Sequence, residues 1–144
     1  MIRSLELQDF NKGYIDLLKQ LTQVGDISYD SYKFFYENLN DNHIILVIEK
    51  DNKIVSTGTA LIETKLIHNC GKVGHIEDIV THKDYRGNGY AKKIINKLKK
   101  YINQQDCYKV ILNCSYENKL YYEKNVNMKQ KGICMVEYFT PLNI

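Results

Sequence analysis

A short apolar strand that passes through a glycine-rich turn into an amphipathic helix is the feature that most constrains how this chain folds. It occupies residues 80–92, and its turn reads RGNGYA over residues 86–91. The helix that follows carries apolar side chains at helical spacing on one face, at positions 91, 94, 95, 98, 101 and 102. Lysines at 92, 93, 97, 99 and 100 lie on its other face, which we interpret as solvated. The pattern predicts a helix packed against a sheet.

The same turn has the chemistry of an anion site. The first backbone N–H groups of a helix lack intrahelical partners, and the helix dipole attracts negative charge to that end. Gly87 and Gly89 would leave the backbone accessible to a phosphate and tolerate positive φ angles, and Arg86 adds positive charge. The spacing is neither that of a Walker A loop nor GxGxxG. A pyrophosphate-binding turn is therefore one hypothesis, and the alternative is a helix start whose glycines serve only the turn.

The remaining patterns predict an α+β chain around one sheet. Strands are expected at residues 2–7, 44–49, 54–66, 73–81, 109–114 and 133–139. Asp9 is expected to cap a helix that carries Tyr14, Leu17, Leu18 and Leu21 on one face, and further helices are expected at residues 29–39 and 118–124. Turns are expected at residues 51–52 and 68–71. No internal repeat or Pro/Gly/Ser linker interrupts the 144 residues, so we expect a single domain over residues 1–144.

Composition excludes several function classes. The net charge of +3 is mild and its basic residues are dispersed, which argues against nucleic-acid binding. The apolar runs are too short to span a membrane, and the N-terminus lacks a signal-peptide core, so a cytoplasmic protein is expected. The four cysteines form no CxxC pair and no two histidines have metal-ligand spacing on one helix. We therefore expect no metal, although a catalytic cysteine or a metal site remains a minor alternative.

Four segments together resemble the glucosamine 6-phosphate N-acetyltransferase family of the GNAT acetyltransferase superfamily. They are GKVGHIEDIV (71–80), YRGNGYAKKII (85–95), CYKVILNC (107–114) and ENKLYYEK (117–124), in the order and spacing of that family. The resemblance is dense from about residue 54 to residue 124 and weaker at both ends. Four linked segments are much more specific than the turn alone.

The resemblance implies a GNAT acyltransferase fold, with a mixed, mostly antiparallel, splayed central sheet flanked by helices. It implies that acetyl-coenzyme A binds where the sheet opens and that the amine of D-glucosamine 6-phosphate attacks its thioester directly, without an acyl-enzyme. The expected products are N-acetylglucosamine 6-phosphate and coenzyme A, in the biosynthesis of UDP-N-acetylglucosamine. It also implies a homodimer in which each active site borrows residues from the partner.

Site residues follow from the resemblance, position by position. The backbone N–H groups near Ile79 and Val80 are expected to bind the thioester oxygen, and Glu77 and Asp78 to face the sugar as catalytic or substrate-binding carboxylates. The cofactor is expected to contact the turn and helix start, together with a downstream asparagine: Arg86, Gly87, Asn88, Gly89, Tyr90, Ala91, Lys92 and Asn118. Tyr122 matches the general acid that protonates the leaving thiolate, or else packs in the core beside Tyr121. Lys65, Lys72 and His68 are candidates for the sugar phosphate.

One position departs from the family. Asn113 stands where relatives carry an Asp or Glu that is proposed as the base, and asparagine has no basic site at physiological pH. The base role therefore does not transfer, although Asn113 still counts as a substrate-binding candidate. Two other functions stay open: a GNAT enzyme for another amine, such as a polyamine or a peptide N-terminus, and a non-catalytic acetyl-coenzyme A sensor. The HIEDI and YKVILNC segments argue against the first of these.

Overall fold

Five strands form one mixed sheet in the computed structural model, which describes residues 1–140. The strands are β1 (Ile2–Ser4), β2 (His43–Lys50), β3 (Lys53–Thr64), β4 (Lys72–Thr81) and β5 (Cys107–Ile111). They are ordered β1-β2-β3-β4-β5 across the sheet. The first three pairings are antiparallel, and β4 and β5 are parallel. The predicted α+β sheet is confirmed, with β1 and β5 shorter than expected.

Helices connect and flank these strands. The helical segments are α1 (Tyr14–Leu18), α2 (Tyr29–Glu37), α3 (Ile67–Cys70), α4 (Tyr90–Gln104) and α5 (Lys119–Asn125). Of these, α3 is a single turn in which His68, Asn69 and Cys70 have positive φ angles, where the sequence predicted a turn. Short 3-10 segments cover Leu7–Lys12, Lys83–Tyr85 and Tyr116–Asn118. None of these helices within residues 1–140 has the length and hydropathy needed to cross a membrane.

The β2–β3 hairpin forms where its turn was predicted. Asp51 and Asn52 have φ angles of 50° and 60°, and Lys50 pairs with Lys53 across them. Two successive left-handed residues match the right-handed twist of the flanking strands, and Asp and Asn tolerate that conformation better than most residues.

The N-terminal helix begins later than expected. Asp9 lies inside the 3-10 segment Leu7–Lys12, where its Oδ2 accepts the backbone N–H of Glu6 at 2.8 Å, and α1 begins only after Gly13. Asp9 is fully buried and receives two hydrogen bonds of 2.8 Å from the guanidinium of Arg3. The carboxylate therefore ties β1 to this segment, because a buried charge needs such a partner.

Helix α4 packs closely on the sheet because two strand glycines make room for it. Its buried side chains are the apolar ones that the sequence pattern placed on one face: Ile94, Ile95, Leu98 and Ile102. A Cβ added at Gly58 would lie 2.6 Å from Cγ2 of Ile94, and one at Gly74 would overlap Ile102. Both added Cβ atoms would lie closer to the α4 side chains than van der Waals contact allows. A larger residue at either position would therefore force the helix and the sheet apart.

The chain divides into two compact units, Met1–Leu112 and Asn113–Ile144. The first contains the sheet and helices α1 to α4, and the second contains α5 and the C-terminal segment. The single domain expected over residues 1–144 stays a prediction, and its last four residues lie outside the described part of the chain.

The strand expected at residues 133–139 is absent, which corrects that prediction. These residues have no regular secondary structure, and Ile133 and Phe139 are 85% and 90% exposed. The apolar pattern is real, but a strand needs a neighbour to pair with, and among the described residues none pairs here.

Candidate functional site

The turn before α4 has an open surface suited to an anion. Gly87 and Gly89 have φ angles of 81° and 73°, which is the left-handed region that favours glycine. Gly89 is the N-cap of α4, no side chain within residues 1–140 caps this helix end, and its first turn contains no acidic residue. A Cβ built on either glycine would meet no atom within 4 Å. Space is therefore open beside both glycines and the start of α4 has no side-chain cap, as pyrophosphate binding requires.

The flanking side chains hold the shape of this turn. The guanidinium of Arg86 donates from Nε to the Thr81 carbonyl at 3.2 Å, and Asn88 donates from Nδ2 to the Tyr85 carbonyl at 3.0 Å. Arg86, Lys92 and Lys93 are exposed, so the turn is electropositive as well as open. These residues fit the pyrophosphate of coenzyme A.

A β-bulge in β4 changes the direction of the strand at the carboxylate pair. Thr57 pairs with Val80 and Thr59 with Glu77, so one residue of β3 faces two residues of β4. Asp78 lies in this bulge with a φ of 53°, which is unusual for a residue other than glycine. Bulges re-aim side chains, and strained backbone clusters at functional sites. Glu77 is half-buried and Asp78 is exposed.

The sheet opens beside the same strand. Strand β5 pairs with β4 only from Lys72 to His75, where Ile111 is the last partner. In the part of the chain that the structure describes, no strand continues this pairing along residues 76–81. Backbone groups on this edge of β4, including those near Ile79 and Val80, are therefore accessible to an extended ligand arm.

A cavity of about 480 Å³ contains the two carboxylates. Most of its lining is apolar or aromatic, and Glu77 and Asp78 are its acidic members. Thr59, the β3 partner of Glu77, contributes a hydroxyl. The other lining residues come from α1, α2 and the central strands: Tyr14, Ile15, Leu18, Val24, Ile27, Ser31, Tyr32, Phe35, His43, Ile45 and Leu61. None of these lining residues, all within the described chain, is Lys or Arg.

Tyr14 is a cavity residue that sequence reasoning assigned only to a helix face. It is 4% exposed, and burial raises the pKa of its phenol to about 12. The neighbouring Thr57 side chain partly offsets this rise in pKa, and the Thr57 hydroxyl donates to the Leu46 carbonyl at 2.9 Å. Nothing in a single sequence separates such a tyrosine from an ordinary core residue.

The predicted phosphate ligands lie at the other end of the β3–β4 hairpin. Lys72 pairs with Thr64, whereas Glu77 pairs with Thr59, which lies five residues before Thr64 in β3. Five residues of strand span about 16 Å. Lys65 contacts Glu63 at 3.3 Å, and the ring of His68 stacks on Tyr108 with centroids 4.1 Å apart. The structure therefore does not bring Lys65, His68 and Lys72 together with the carboxylate pair of the same chain.

Three further candidates belong to the second compact unit. Asn113 and Asn118 are exposed, and Asn118 precedes α5 as its N-cap. Tyr122 lies within α5 and is half-buried. Burial raises the pKa of the Tyr122 phenol, and the nearby Cys114 thiol and Tyr121 phenol add to the shift. Tyr122 therefore keeps its proton at neutral pH and can donate it.

No group of three or more His, Cys, Asp or Glu side chains within residues 1–140 is arranged to hold a metal ion. All four cysteines lie in this part of the chain, and all four are free thiols.

Comparisons with known proteins agree with this geometry. The Acetyltransferase (GNAT) family model matches residues 7–125. The chain is 44% identical over 143 residues to glucosamine 6-phosphate N-acetyltransferase of Arabidopsis thaliana, covering 96% of this chain and 95% of that protein. It is 40% identical to the enzyme of the same name from Candida albicans, covering 93% and 92% of the two chains.

A solved structure shows the same fold. The crystal structure of the Arabidopsis thaliana glucosamine-6-phosphate N-acetyltransferase matches with a TM-score of 0.94 and 43% identity, over 97% of this chain and 98% of that one. The open turn before α4, the bulge in β4 and the parting of β4 from β5 thus occur in a chain whose sequence and fold both match acetyltransferases. This chain belongs to the GNAT family of acetyltransferases.

Proposed function

We propose that this chain transfers the acetyl group of acetyl-coenzyme A to the amine of D-glucosamine 6-phosphate. The products are N-acetylglucosamine 6-phosphate and coenzyme A, and the reaction belongs to UDP-N-acetylglucosamine biosynthesis in the cytoplasm. The observation that carries the proposal is the 44% identity, over nearly the whole of both chains, to an enzyme named for this reaction. The cavity beside β4 supports it, because its two carboxylates, Glu77 and Asp78, can bind an amine acceptor.

The donor end of the site consists of backbone and cations. Acetyl-coenzyme A supplies an acyl group activated as a thioester. The first amides of α4 bind its pyrophosphate, with Arg86 and Lys92 adding positive charge. The open edge of β4 offers N–H groups near Ile79 and Val80, which hold the thioester oxygen and stabilise the charge that develops on it.

The acceptor end consists of the carboxylate pair. Glu77 and Asp78 accept hydrogen bonds from the amine and the hydroxyls of the sugar, and the bulge directs Asp78 away from the regular strand direction. Since Asn113 has no basic site, Glu77 or a water molecule that it orients takes the proton from the attacking amine. Tyr122 donates its phenolic proton to the departing thiolate, and Asn118 hydrogen-bonds the pantetheine arm.

A homodimer completes the site. The substrate carries a phosphate dianion, yet the cavity residues in the described chain include no Lys or Arg. The C-terminal segment exposes a run of apolar side chains: Ile133, Met135, Val136, Tyr138 and Phe139. Exposed apolar runs without a pairing strand mark a protein interface. A second copy would cover this segment and supply the cations that the described cavity lining lacks.

Light scattering at micromolar concentration tests the dimer. We expect twice the chain mass, and we expect Val136→Asp to shift the protein toward monomer, whereas Lys97→Asp on the solvated face of α4 leaves the mass unchanged. A wild-type protein that is monomeric at every concentration tested would contradict this part of the proposal.

Acetyl transfer to three acceptor classes tests the reaction itself. Coenzyme A release is measured with glucosamine 6-phosphate, with a polyamine and with a peptide that has a free N-terminus. We expect turnover only with the sugar phosphate. Preferred turnover of either other amine would assign a different acceptor, and coenzyme A binding without any turnover would identify an acetyl-coenzyme A sensor.

A further inference from the structure

The turn before α4 contains one buried polar side chain, that of His82. Between the end of β4 and the start of α4, His82 is 8% exposed and Tyr85 is half-buried. The six other residues from Lys83 to Gly89 are exposed. An exposed loop with two left-handed glycines is ordered by its hydrogen bonds. The Lys83 N–H donates to Oε1 of Gln20 at 2.9 Å, Arg86 and Asn88 make the bonds described above, and His82 adds the buried contacts of the turn.

His82 makes three backbone connections. Its N–H donates to the Val55 carbonyl at 2.8 Å, and its own carbonyl accepts the Tyr85 N–H at 2.8 Å. Its ring Nδ1 accepts the Asp84 N–H at 3.2 Å and so caps the 3-10 segment Lys83–Tyr85. The ring also packs edge-on against Tyr85, with centroids 5.5 Å apart. The ring therefore fixes the Asp84 amide and the backbone carbonyl of His82 fixes the Tyr85 amide, so this residue holds two successive amides at the beginning of the turn.

These contacts extend to the pyrophosphate-binding glycines. The Tyr85 carbonyl, positioned by the N–H bond to His82, accepts the side-chain amide of Asn88 at 3.0 Å. Asn88 stands between Gly87 and Gly89, the N-cap of α4. The order of the anion site thus depends on a chain of contacts that runs from His82 through Tyr85 to Asn88.

The role of the His82 ring depends on which of its two nitrogens carries the proton. A backbone N–H can only donate, so the neutral ring that accepts it at Nδ1 carries its proton on Nε2. The Lys53 ammonium lies 3.1 Å from Nε2 and is also a donor, so it cannot bond to that nitrogen at the same time. The Asp84 carboxylate is 3.8 Å from Nδ1. The cap at Nδ1, rather than the Lys53 contact, therefore holds the turn.

We propose that His82 is a positioning residue for the coenzyme A pyrophosphate: its buried ring holds the turn at residues 83–89 in the binding conformation before the ligand arrives. The inference rests on the proposed acetyl-coenzyme A function. A turn ordered in advance binds more tightly, because binding then no longer has to order it.

Two isosteric substitutions separate the cap from the bulk of the ring. In His82→Asn the side-chain oxygen takes the place of Nδ1, whereas in His82→Gln the amide extends toward the place of Nε2 and the cap is lost. We expect His82→Asn to bind coenzyme A within about twofold of wild type and His82→Gln about 3- to 30-fold more weakly, the range that corresponds to losing an N-cap. Lys53→Met, the matched control, should bind like wild type.

Two measurements on the ligand-free protein do not depend on coenzyme A. Hydrogen exchange at the Asp84 and Tyr85 amides, and trypsin cleavage after Lys83 and Arg86, should both accelerate in His82→Gln but not in His82→Asn. The ¹⁵N spectrum of the wild-type ring should show the proton on Nε2, which tests the cap even if His82→Gln fails to fold.

These measurements distinguish a wrong role for His82 from a wrong proposed function. Equal exchange, cleavage and affinity in the Asn and Gln variants, or a wild-type ring protonated on Nδ1, would overturn the role of His82. A wild-type protein that does not bind coenzyme A would contradict the proposed function, while the exchange and ¹⁵N measurements would still decide the role of the ring.

Discussion

Tyr122 is the residue whose electrostatics most directly match a chemical task. Burial raises its pKa above the ordinary value of a phenol, so the neutral form persists to higher pH than it would in water. A general acid must be protonated when the thiolate departs. A raised pKa extends the pH range in which the phenol remains protonated. Activity that depends on this proton should therefore hold through neutral pH and decline only above about pH 10.

Tyr122→Phe tests this role because it removes only the hydroxyl. We expect the maximal rate to fall by about 10²- to 10⁴-fold, the contribution of a positioned acid, with an unchanged melting temperature and coenzyme A affinity. Tyr121→Phe is the control, since it removes the same group from the adjacent, more exposed ring. Wild-type turnover in Tyr122→Phe would leave this tyrosine with a packing role.

Substitution of Gly89 is expected to affect both the stability of the protein and its affinity for coenzyme A. Gly89→Ala should destabilise the protein by about 1–2 kcal/mol, because alanine is strained in the left-handed conformation. It should also weaken coenzyme A binding by about tenfold or more, equivalent to about 1.4 kcal/mol, by disturbing the amides of α4.

Gly13→Ala is the matched control for Gly89→Ala. Gly13 has a φ of 79° and, like Gly89, no atom within 4 Å of an added Cβ, but it begins α1 instead of α4. It should show the same loss in thermal melts and no loss of affinity in calorimetry. Equal affinities for the two variants would remove the turn from the cofactor site.

Substitutions of Asn113 test how the attacking sugar amine loses its proton. An asparagine contributes hydrogen bonds worth about 0.5–1.5 kcal/mol, so Asn113→Ala should lower turnover by no more than about tenfold. Asn113→Asp should move the rising limb of the pH–rate profile to lower pH, because a carboxylate can relay the proton. A loss of more than about a hundredfold in Asn113→Ala, with fold and affinities intact, would show that the asparagine itself has an essential role.

At the scale of elements, the contact between α4 and the sheet positions both the turn and the bulge. A Cβ at Gly58 would overlap Cδ1 of Ile79 and lie 2.6 Å from Cγ2 of Ile94. Gly58→Ala should therefore lower the free energy of unfolding by about 1–3 kcal/mol. Ile79→Val removes the overlapping Cδ1, and in the double variant it should recover part of that loss in chemical denaturation.

Gly132→Ala serves as the control for the packing argument. Gly132 has no positive φ angle, and no atom lies near an added Cβ. Gly132→Ala should therefore change the free energy of unfolding of the protein by less than about 0.5 kcal/mol. A Gly58→Ala variant as stable as Gly132→Ala would mean that α4 does not need the close approach.

Local patterns predicted the elements that local physics determines. Helix α4, the turn at Asp51–Asn52 and the glycine start at Gly89 each follow from spacing and turn chemistry in a short window. The bulge at Asp78 did not follow, because its cause is the pairing of β4 with a strand some twenty residues away in the chain. The wrong prediction of a strand at residues 133–139 has the same cause. The segment has an apolar pattern typical of a strand, but that pattern does not specify a partner strand with which to pair.

At the scale of the whole molecule, the cavity draws on segments from Tyr14 to Asp78 that no sequence window contains together. The resemblance predicted site roles for Glu77 and Asp78 because they lie inside a dense matching segment, and both line this cavity. The tyrosine and threonine that share their cavity were missed, and the lysines proposed for the phosphate lie at the far end of the hairpin. A phosphate site assembled from two chains would not be visible in one sequence at all.

The acceptor specificity is the central claim, and one comparison tests it directly. Initial rates are measured with glucosamine 6-phosphate and with glucosamine at saturating acetyl-coenzyme A, and the product is identified by NMR. We predict acetylation at the sugar nitrogen, with kcat/KM about a hundredfold lower for glucosamine, because losing the phosphate removes charge-assisted bonds worth about 1.5–3 kcal/mol each. Equal rates for the two sugars, or no acetylation of either, would contradict the account.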